Sequence, residues 1–381
     1  MRGRPRVLVA PTSTDNSIVV MRELGRAGID VTGADDGYLP AWLRSRHCRQ
    51  YVRVPAAADL HVQDYLPVVA AAVRPDAIVP VNTPATVAAL RLQASAVGVA
   101  RMNVPSPEAF AAAYDKRQCM AACRALGIPC PRVYETADAA SLLRRGDGTT
   151  RLVVKPRFDF GGGHGLRIVQ DAAALEAAVA DCERRLGGAV IQEFIPGDTE
   201  RLAMLLVLFG PDARLVAAFT SRKLRQYPRM GGSATVSEST AEPRLLEQML
   251  PLFAQWRWAG PAEVDLKFDE RDGTFKVLEV NPRMPSYVRF VVDCGLNLPV
   301  LAGALALDPA AVEPLPYPAY ALGRRYVCLG PFARGLLDEM REPVGRWQRL
   351  SRALGDVRGT RLAGFWEDPL PFIGRLVHWG D

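Results

Sequence analysis

Two alternating apolar runs near residue 270 restrict the fold of this chain more than any other feature. Residues 264–268 (V-D-L-K-F) and 274–278 (T-F-K-V-L) flank the turn E-R-D-G at 270–273, and the second run continues into E-V-N-P-R at 279–283. Alternation with period two marks a strand, and a short turn ending in glycine between two such runs predicts a β-hairpin. Such a hairpin can bring Asp265, Glu279 and Asn281 together. Two carboxylates and an amide oxygen are hard ligands suited to magnesium, which keeps some waters and takes its remaining ligands from nucleotide phosphates. A surface hairpin with solvated acids is the plainer alternative. It is weakened because Glu279 stands between Leu278 and Val280, where an unpaired charge is costly. Glu263 precedes Asp265 by two residues, shares its strand face and is a second claimant for the metal.

Toward the N-terminus the pattern changes. The short apolar run at 7–10, the helical spacing of Val19, Val20, Leu24 and Ala27, and the runs at 29–34 and 77–81 around a helix-like 62–73 alternate strand with helix. That alternation predicts a parallel, doubly wound sheet. The first turn, P-T-S-T-D-N-S, lacks the glycines of a dinucleotide fold, which argues against an NAD site, and Asp15, Asn16 and Ser17 read as helix-capping residues. Two prolines at 104–107 break the pattern before an alanine-rich helix that contains Asp115 and Lys116. A second proline-rich stretch at 313–318 precedes a tail with several Trp, Arg and Gly residues.

Composition excludes several classes. Of 381 residues about half are apolar and 23% charged, the balance of a globular protein large enough for two or three packed units. The net charge of +6 is arginine spread along the chain, so a few contacts to an anionic small molecule are preferred over nucleic acid, which is not expected as a partner. Seven scattered cysteines without a C-x-x-C pair fit a reducing cytoplasm, with Cys119 and Cys123 as buried small side chains. The basic start runs into Pro11 too soon for a signal peptide, and the most apolar stretches, 202–209 and 296–307, are too short to cross a bilayer. No membrane segment is expected.

Two further elements carry chemistry. In V-V-K-P-R-F-D-F-G-G-G-H-G, Lys155 ends a strand and Gly161, Gly162, Gly163 and Gly165 offer backbone N–H groups that can approach phosphate oxygens. It is not a P-loop, since no G-K-[ST] closes it. His164 reads as a solvated loop histidine, with a phosphate contact as the alternative. In V-I-Q-E-F-I-P-G-D-T-E, at 190–200, a strand runs into a Pro-Gly bend whose backbone can meet a purine edge, and Glu200 can accept from ribose hydroxyls.

Asp115-Lys116, Lys155-Pro156, the glycine loop, the 192–197 bend and Asp265 with Glu279 to Arg283, in this order, resemble the ATP-grasp superfamily, which includes D-alanine:D-alanine ligase and biotin carboxylase. The resemblance covers roughly 105–305. It implies an N-terminal doubly wound α/β pre-ATP-grasp domain (1–105) and a two-lobed α+β ATP-grasp domain (106–312; small lobe about 115–195, large lobe about 196–312), and leaves a C-terminal tail at 313–381 of unassigned role. It assigns the nucleotide phosphates to Lys116, Lys155 and the loop Gly161, Gly162 and Gly163. Adenine falls to Gln192, Glu193, Phe194 and Ile195, with Gln192 and Glu193 both open as its polar contact. Ribose falls to Glu200, and magnesium, with manganese as a substitute, to Asp265, Glu279 and Asn281.

The segment T-S-R-K-L-R-Q-Y-P-R-M-G-G at 220–232 and S-R-H-C-R at 45–49 are similar to carboxylate-amine ligases. Arg222, Lys223, Arg225, Gly231, Gly232, Arg283 and Ser286 become substrate contacts, with Lys155, Arg225 and Arg283 as catalytic cations. A solvated basic turn is the competing reading of 220–232. The implied reaction activates a carboxylate as an acyl phosphate and passes it to an amine, with small-molecule acid and amine as partners and room for a homodimer. A phosphotransferase on the same fold and a non-catalytic nucleotide-binding protein are the alternatives.

Overall fold

The computed structural model describes residues 3–12, 14–35, 45–54, 62–95, 100–146, 148–158, 163–341, 346–358 and 360. The N-terminal part comprises β1 (Arg6–Ala10), α1 (Asp15–Arg26), β2 (Asp30–Asp35), β3 (Cys48–Arg53), α2 (Val62–Val73), β4 (Ala77–Pro80) and α3 (Thr83–Ala94). Its four strands lie in the order β3-β2-β1-β4, every pair parallel. Burial of Val7, Leu8, Val9 and Ala10 explains why β1 reads as a continuous apolar run: a parallel strand covered on both faces has no polar side. The helix cap is Thr14, whose side chain accepts from the Ser17 N–H, one residue earlier than the capping set read from the sequence.

Asp115 divides what the sequence suggests is one alanine-rich helix into α4 (Pro107–Tyr114) and α5 (Lys116–Ala125). Its backbone is extended and its carboxylate accepts from the N–H groups of Arg117 and Gln118, the exchange an N-cap makes for helix continuity. The small lobe follows as β5 (Val133–Tyr134), α6 (Thr136–Arg145), β6 (Leu152–Pro156), β7 (Arg167–Val169), α7 (Ala172–Leu186) and β8 (Ala189–Glu193). Its antiparallel sheet, β5-β8-β6-β7, shares an apolar core with α6 and α7.

The large lobe contains β9 (Leu202–Phe209), β10 (Leu215–Tyr227), β11 (Ser233–Thr240), α8 (Pro243–Gln255), β12 (Gly260–Asp269), β13 (Thr274–Asn281), α9 (Val288–Asp293), α10 (Leu298–Leu307) and β14 (Arg325–Val327). Two further helices, α11 (Leu329–Arg341) and α12 (Arg346–Val357), complete the described chain. The six strands run β13-β12-β9-β10-β11-β14. All eight residues of β9 are buried, and their alternation divides them between two cores. Leu205, Val207 and Phe209 pack with α5, α8 and Trp258; Met204, Leu206 and Leu208 pack with α9, α10 and the N-terminal residues Val7, Leu24 and Val79. One strand therefore fastens the N-terminal domain to the large lobe.

The stretch after residue 312 is tied to this sheet. Tyr317 and Tyr320 hydroxyls lie 2.7 and 3.2 Å from Thr220 Oγ1, Tyr320 donates to the Thr240 carbonyl at 2.7 Å, and β14 pairs with β11. Residues 220–227, grouped in the sequence as part of a basic turn, are the second half of β10. Phe219 joins the layers, its ring edge-on to Phe290 at 5.4 Å and 4.5 Å from Tyr320. Phe219→Ala is expected to cost about 3–5 kcal/mol, read from urea denaturation with an unchanged slope. A loss under about 1 kcal/mol would contradict this bridging role.

Candidate active site

The hairpin β12–β13 brings four polar side chains to one sheet face. Asp265 pairs directly with Glu279 and Glu263 with Asn281, so two cross-strand pairs two residues apart point the same way. Between Asp265 and Leu266 the register slips, because Leu278 is an extra residue on β13. Such a bulge leaves one residue outside the ladder. The Leu278 carbonyl accepts from Lys155 Nζ at 2.8 Å, linking the small lobe's β6 to the hairpin.

Each acid has a cation. Lys116 Nζ is 3.3 Å from Glu279, Lys223 Nζ 2.8 Å from Asp265 and Arg283 Nη1 2.9 Å from Glu263. Lys116, Lys155 and Lys223 are only 6%, 7% and 8% exposed, and the ion pairs of Lys116 and Lys223 and the Leu278 carbonyl at Lys155 offset the cost of that burial. Lys116 owes its position to the helix break: Asp115 caps α5 and also accepts from Arg157 Nε at 2.9 Å, while the Lys116 N–H donates to the Arg157 carbonyl.

The pKa values separate under these fields. Burial would raise the Glu279 carboxyl, but Lys116, Lys155 and Lys223 hold it down at about 2. Burial pushes Glu263 up to about 7 against the pull of Arg283, and Asp265 adds to the rise. Lys155 is lowered to about 8 by burial, with Glu279 opposing. Burial would lower Lys223, yet Asp265 outweighs it and raises the amine. Glu279 is therefore fully ionised at neutral pH, whereas Glu263 is not.

All these groups line a cavity of about 510 Å³, together with Gly163, His164, Gly231, Gly232 and Ser286. Four cations against three carboxylates leave an excess of positive charge, the polarity an anionic ligand requires. Gly163 has φ +71°, and a Cβ there would come within 1.8 Å of the Gly231 carbonyl, so the loop after β6 touches the turn after β10 across the cavity. Gly161 and Gly162 lie outside the described residues. Among the described residues no three His, Cys, Asp or Glu side chains are grouped to hold a metal alone. Two carboxylates and an amide match a magnesium site completed by phosphates and water.

A second cavity of about 890 Å³ shares Lys155, Leu166, Leu202, Gln226, Gly231 and Leu278 with the first, so the two form one cleft. Gln192, Glu193, Phe194, Ile195 and Glu200 line it. The Phe194 ring has the Arg151 guanidinium 4.0 Å away and Lys267 Nζ 5.5 Å away. The Glu193 carboxylate is held by Arg271 at 2.6 Å, whereas the Gln192 amide, 2% exposed, has its Nε2 without an acceptor among the described residues. That orphan donor favours Gln192 over Glu193 as the polar contact for a ligand in this cavity.

The remaining basic residues divide. Arg222 lines neither cavity and pairs with Glu238 at 2.7 Å. Register shifts on either side of Arg225 carry it into the second cavity, away from the acids, where Glu339 and Asp356 hold it. Sequence reasoning assigned nothing to Leu278 O or Lys267, nor to Arg349 and Arg352, which also line the second cavity. A bulge carbonyl has no residue signature, and the arginines approach only through the path of the tail.

Residues 113–286, the stretch that carries Lys116, Lys155, the 192–197 bend and the acidic hairpin, match the ATP-grasp domain family. A D-aspartate ligase of Enterococcus faecium (strain Aus0004) is 27% identical over 111 residues, 29% of this chain and 26% of the ligase. The chain thus matches about a quarter of that relative's length. Among solved structures, biotin carboxylase of Campylobacter jejuni in a β-γ-ATP complex has a TM-score of 0.67 at 16% identity, covering 84% of this chain and 74% of its own. The biotin carboxylase domain of Hydrogenobacter thermophilus 2-oxoglutarate carboxylase, solved with MgADP, ADP and bicarbonate, has a TM-score of 0.65 at 16% identity over 85% and 74%. An L-amino acid ligase of Bacillus licheniformis has a TM-score of 0.60 at 19% identity over 81% and 75%. These likenesses establish a shared fold. No helix among the described residues is long and apolar enough to cross a membrane.

An anion at Lys155 Nζ favours the charged amine, which in the free protein is lost as pH rises through about 8. Affinity for inorganic tripolyphosphate, measured by calorimetry, is expected to fall above that pH relative to Lys155→Arg, whose guanidinium stays charged. Parallel profiles for the two proteins would contradict this role.

Proposed function

We propose that the chain is an ATP-dependent, magnesium-requiring ligase that converts a carboxylate into an acyl phosphate and passes it to an amine, releasing ADP and phosphate. The observation that carries this reading is the convergence of Lys116, Lys155 and the fully ionised Glu279 at one end of a cleft whose other end is the Gln192–Ile195 hinge. The D-aspartate ligase relative and the L-amino acid ligase neighbour support amino-acid-like substrates. The MgADP and ATP-analogue complexes of the carboxylase neighbours support the nucleotide and its metal.

In this reading the Gln192 amide and the backbone of Glu193, Phe194 and Ile195 hold adenine, and Glu200 accepts from ribose. Lys116, Lys155 and the N–H groups of the glycine loop, Gly161, Gly162 and Gly163, hold the phosphates. Glu279, Asn281 and Asp265 would hold magnesium, which supplies charge neutralisation between the phosphates; manganese takes the same oxygen ligands.

A carboxylate oxygen attacks the γ-phosphorus, the bond to the β,γ-bridging oxygen breaks, and ADP leaves. Both reactants are anions, so positioning and positive charge supply most of the catalysis. Lys155 and Arg283 provide that charge. The amine nitrogen then attacks the acyl carbon, the carbon–oxygen bond to phosphate breaks, and the nitrogen loses its extra proton. Arg283 steadies the oxyanion of that second step. Lys223, Gly231, Gly232 and Ser286, which share the cavity, are the nearest substrate contacts, while Arg222 and Arg225 fall outside it. Small-molecule acid and amine are the partners, in the cytoplasm.

Purified protein is expected to release ADP and phosphate only when an acceptable acid and amine are both present, with an amide product by mass spectrometry. Glu279→Gln should lower that turnover by at least about a hundredfold. Release of AMP and pyrophosphate would reject the acyl-phosphate route.

A further inference from the structure

The second cavity has a wall that the ATP-grasp domain does not supply. Arg349, Arg352 and Asp356 of α12 recur at helical spacing, which puts them on one face, and with Glu339 of α11 they line the same cavity as Gln192, Phe194 and Glu200. The opposite stripe of α12 holds Trp347, 76% exposed, and Leu354, 59% exposed. An amphipathic helix ordinarily turns its apolar stripe inward; here Leu350, Ala353 and Val357, at helical spacing, are half-buried or buried, and the polar stripe beside them faces the second cavity. On α11 Phe332, Leu336 and Met340 are likewise half-buried, so among the described residues the hairpin packs with partly buried apolar side chains and with Ala353 as its one fully buried residue.

Polar contacts add to that packing. Arg225, its side chain 15% exposed, donates from Nη1 to both Glu339 oxygens at 2.9 and 3.0 Å and from Nε to Asp356 at 2.6 Å. The Tyr227 hydroxyl donates to Asp338 at 2.9 Å, and Arg325 Nη1 donates to the Gly355 carbonyl at 3.0 Å. Both acids of the wall are thereby engaged by Arg225, and the other side chains that α12 brings to the cavity are two guanidiniums. A guanidinium can stack on a purine and donate to ribose oxygens, which is a physical reason for a polar stripe to face this space.

We propose that the α11–α12 hairpin is part of the nucleotide site, with Arg349 and Arg352 contacting the adenosine half of the ligand and Arg225, Glu339 and Asp356 acting as the latch that positions them. This rests on the ATP-binding reading above. It adds that the contact is to the base and ribose, because Glu263, Asp265, Glu279, Lys116 and Lys223 line only the other cavity and Lys155 stands where the two meet. Arg225 is then a positioning residue rather than a catalytic one.

The test is calorimetric binding of MgADP and, separately, of inorganic tripolyphosphate to the full chain, to Arg352→Ala, to Arg349→Ala/Arg352→Ala and to the latch variant Glu339→Gln/Asp356→Asn. Arg352 is exposed, so its truncation should leave the fold intact. MgADP affinity is expected to fall about tenfold in the double arginine and latch variants and less in the single one, with tripolyphosphate affinity unchanged. Unchanged MgADP affinity in both double variants would overturn the inference while leaving the ligase reading standing. Equal losses for both ligands would also overturn it, since they would signal a general disturbance. A native protein that binds tripolyphosphate but not MgADP would overturn both readings.

Discussion

The structure depends on a buried exchange of charge between lobes. Lys116 comes from the helix that starts after the break at Asp115, Lys155 from the end of a small-lobe strand and Lys223 from a large-lobe strand, and all three lie over the acids of one hairpin. Isolated, any of these groups would be expensive to desolvate; together they stabilise one another only in this arrangement of lobes. The same set carries an excess of positive charge, so the arrangement that offsets the burial of these groups also makes the cleft receptive to an anion.

The scaffold serves that exchange through simple periodicities. β9 sends alternate residues into two cores and so fixes the N-terminal domain, α5 and the hairpin relative to one another. Direct pairing of Asp265 with Glu279 sets the spacing of the acids, and the bulge at Leu278 turns a backbone carbonyl toward Lys155. Asp115 ends one helix and begins another, which brings Lys116 to the cleft. Bulges and caps, rather than long regular elements, aim the side chains that do chemistry.

Much of this is legible in the sequence, for physical reasons that also explain what is not. The hairpin at 264–281 announces itself because alternation and a glycine turn are local signals, and its acids follow from the register. The strand–helix alternation that predicts the parallel N-terminal sheet is equally local, although its pairings, such as Val7 with Ala77, are not. The break at Asp115 is hidden because alanine-rich flanks favour helix, and only the cap and its tie to Arg157 reverse that preference. The basic segment at 220–227 is misleading, since its charges suggest a solvated turn while its partners, Asp265 and Glu339, lie 42 and 114 residues away and make it a strand. The tail's place at the second cavity is silent in sequence because ion pairs from Arg225 to Glu339 and Asp356, 114 and 131 residues away, tie its helices there.

The central claim is that the hairpin acids and the early lysines converge on one metal-bound polyphosphate. A crystal structure of the chain with magnesium and a non-hydrolysable ATP analogue tests it most directly. The account predicts the cation on Glu279 and Asn281, the phosphates against Lys116 and Lys155, and the base beside Gln192. Density for the analogue outside this cleft, or a cation with no contact to β13, would contradict it.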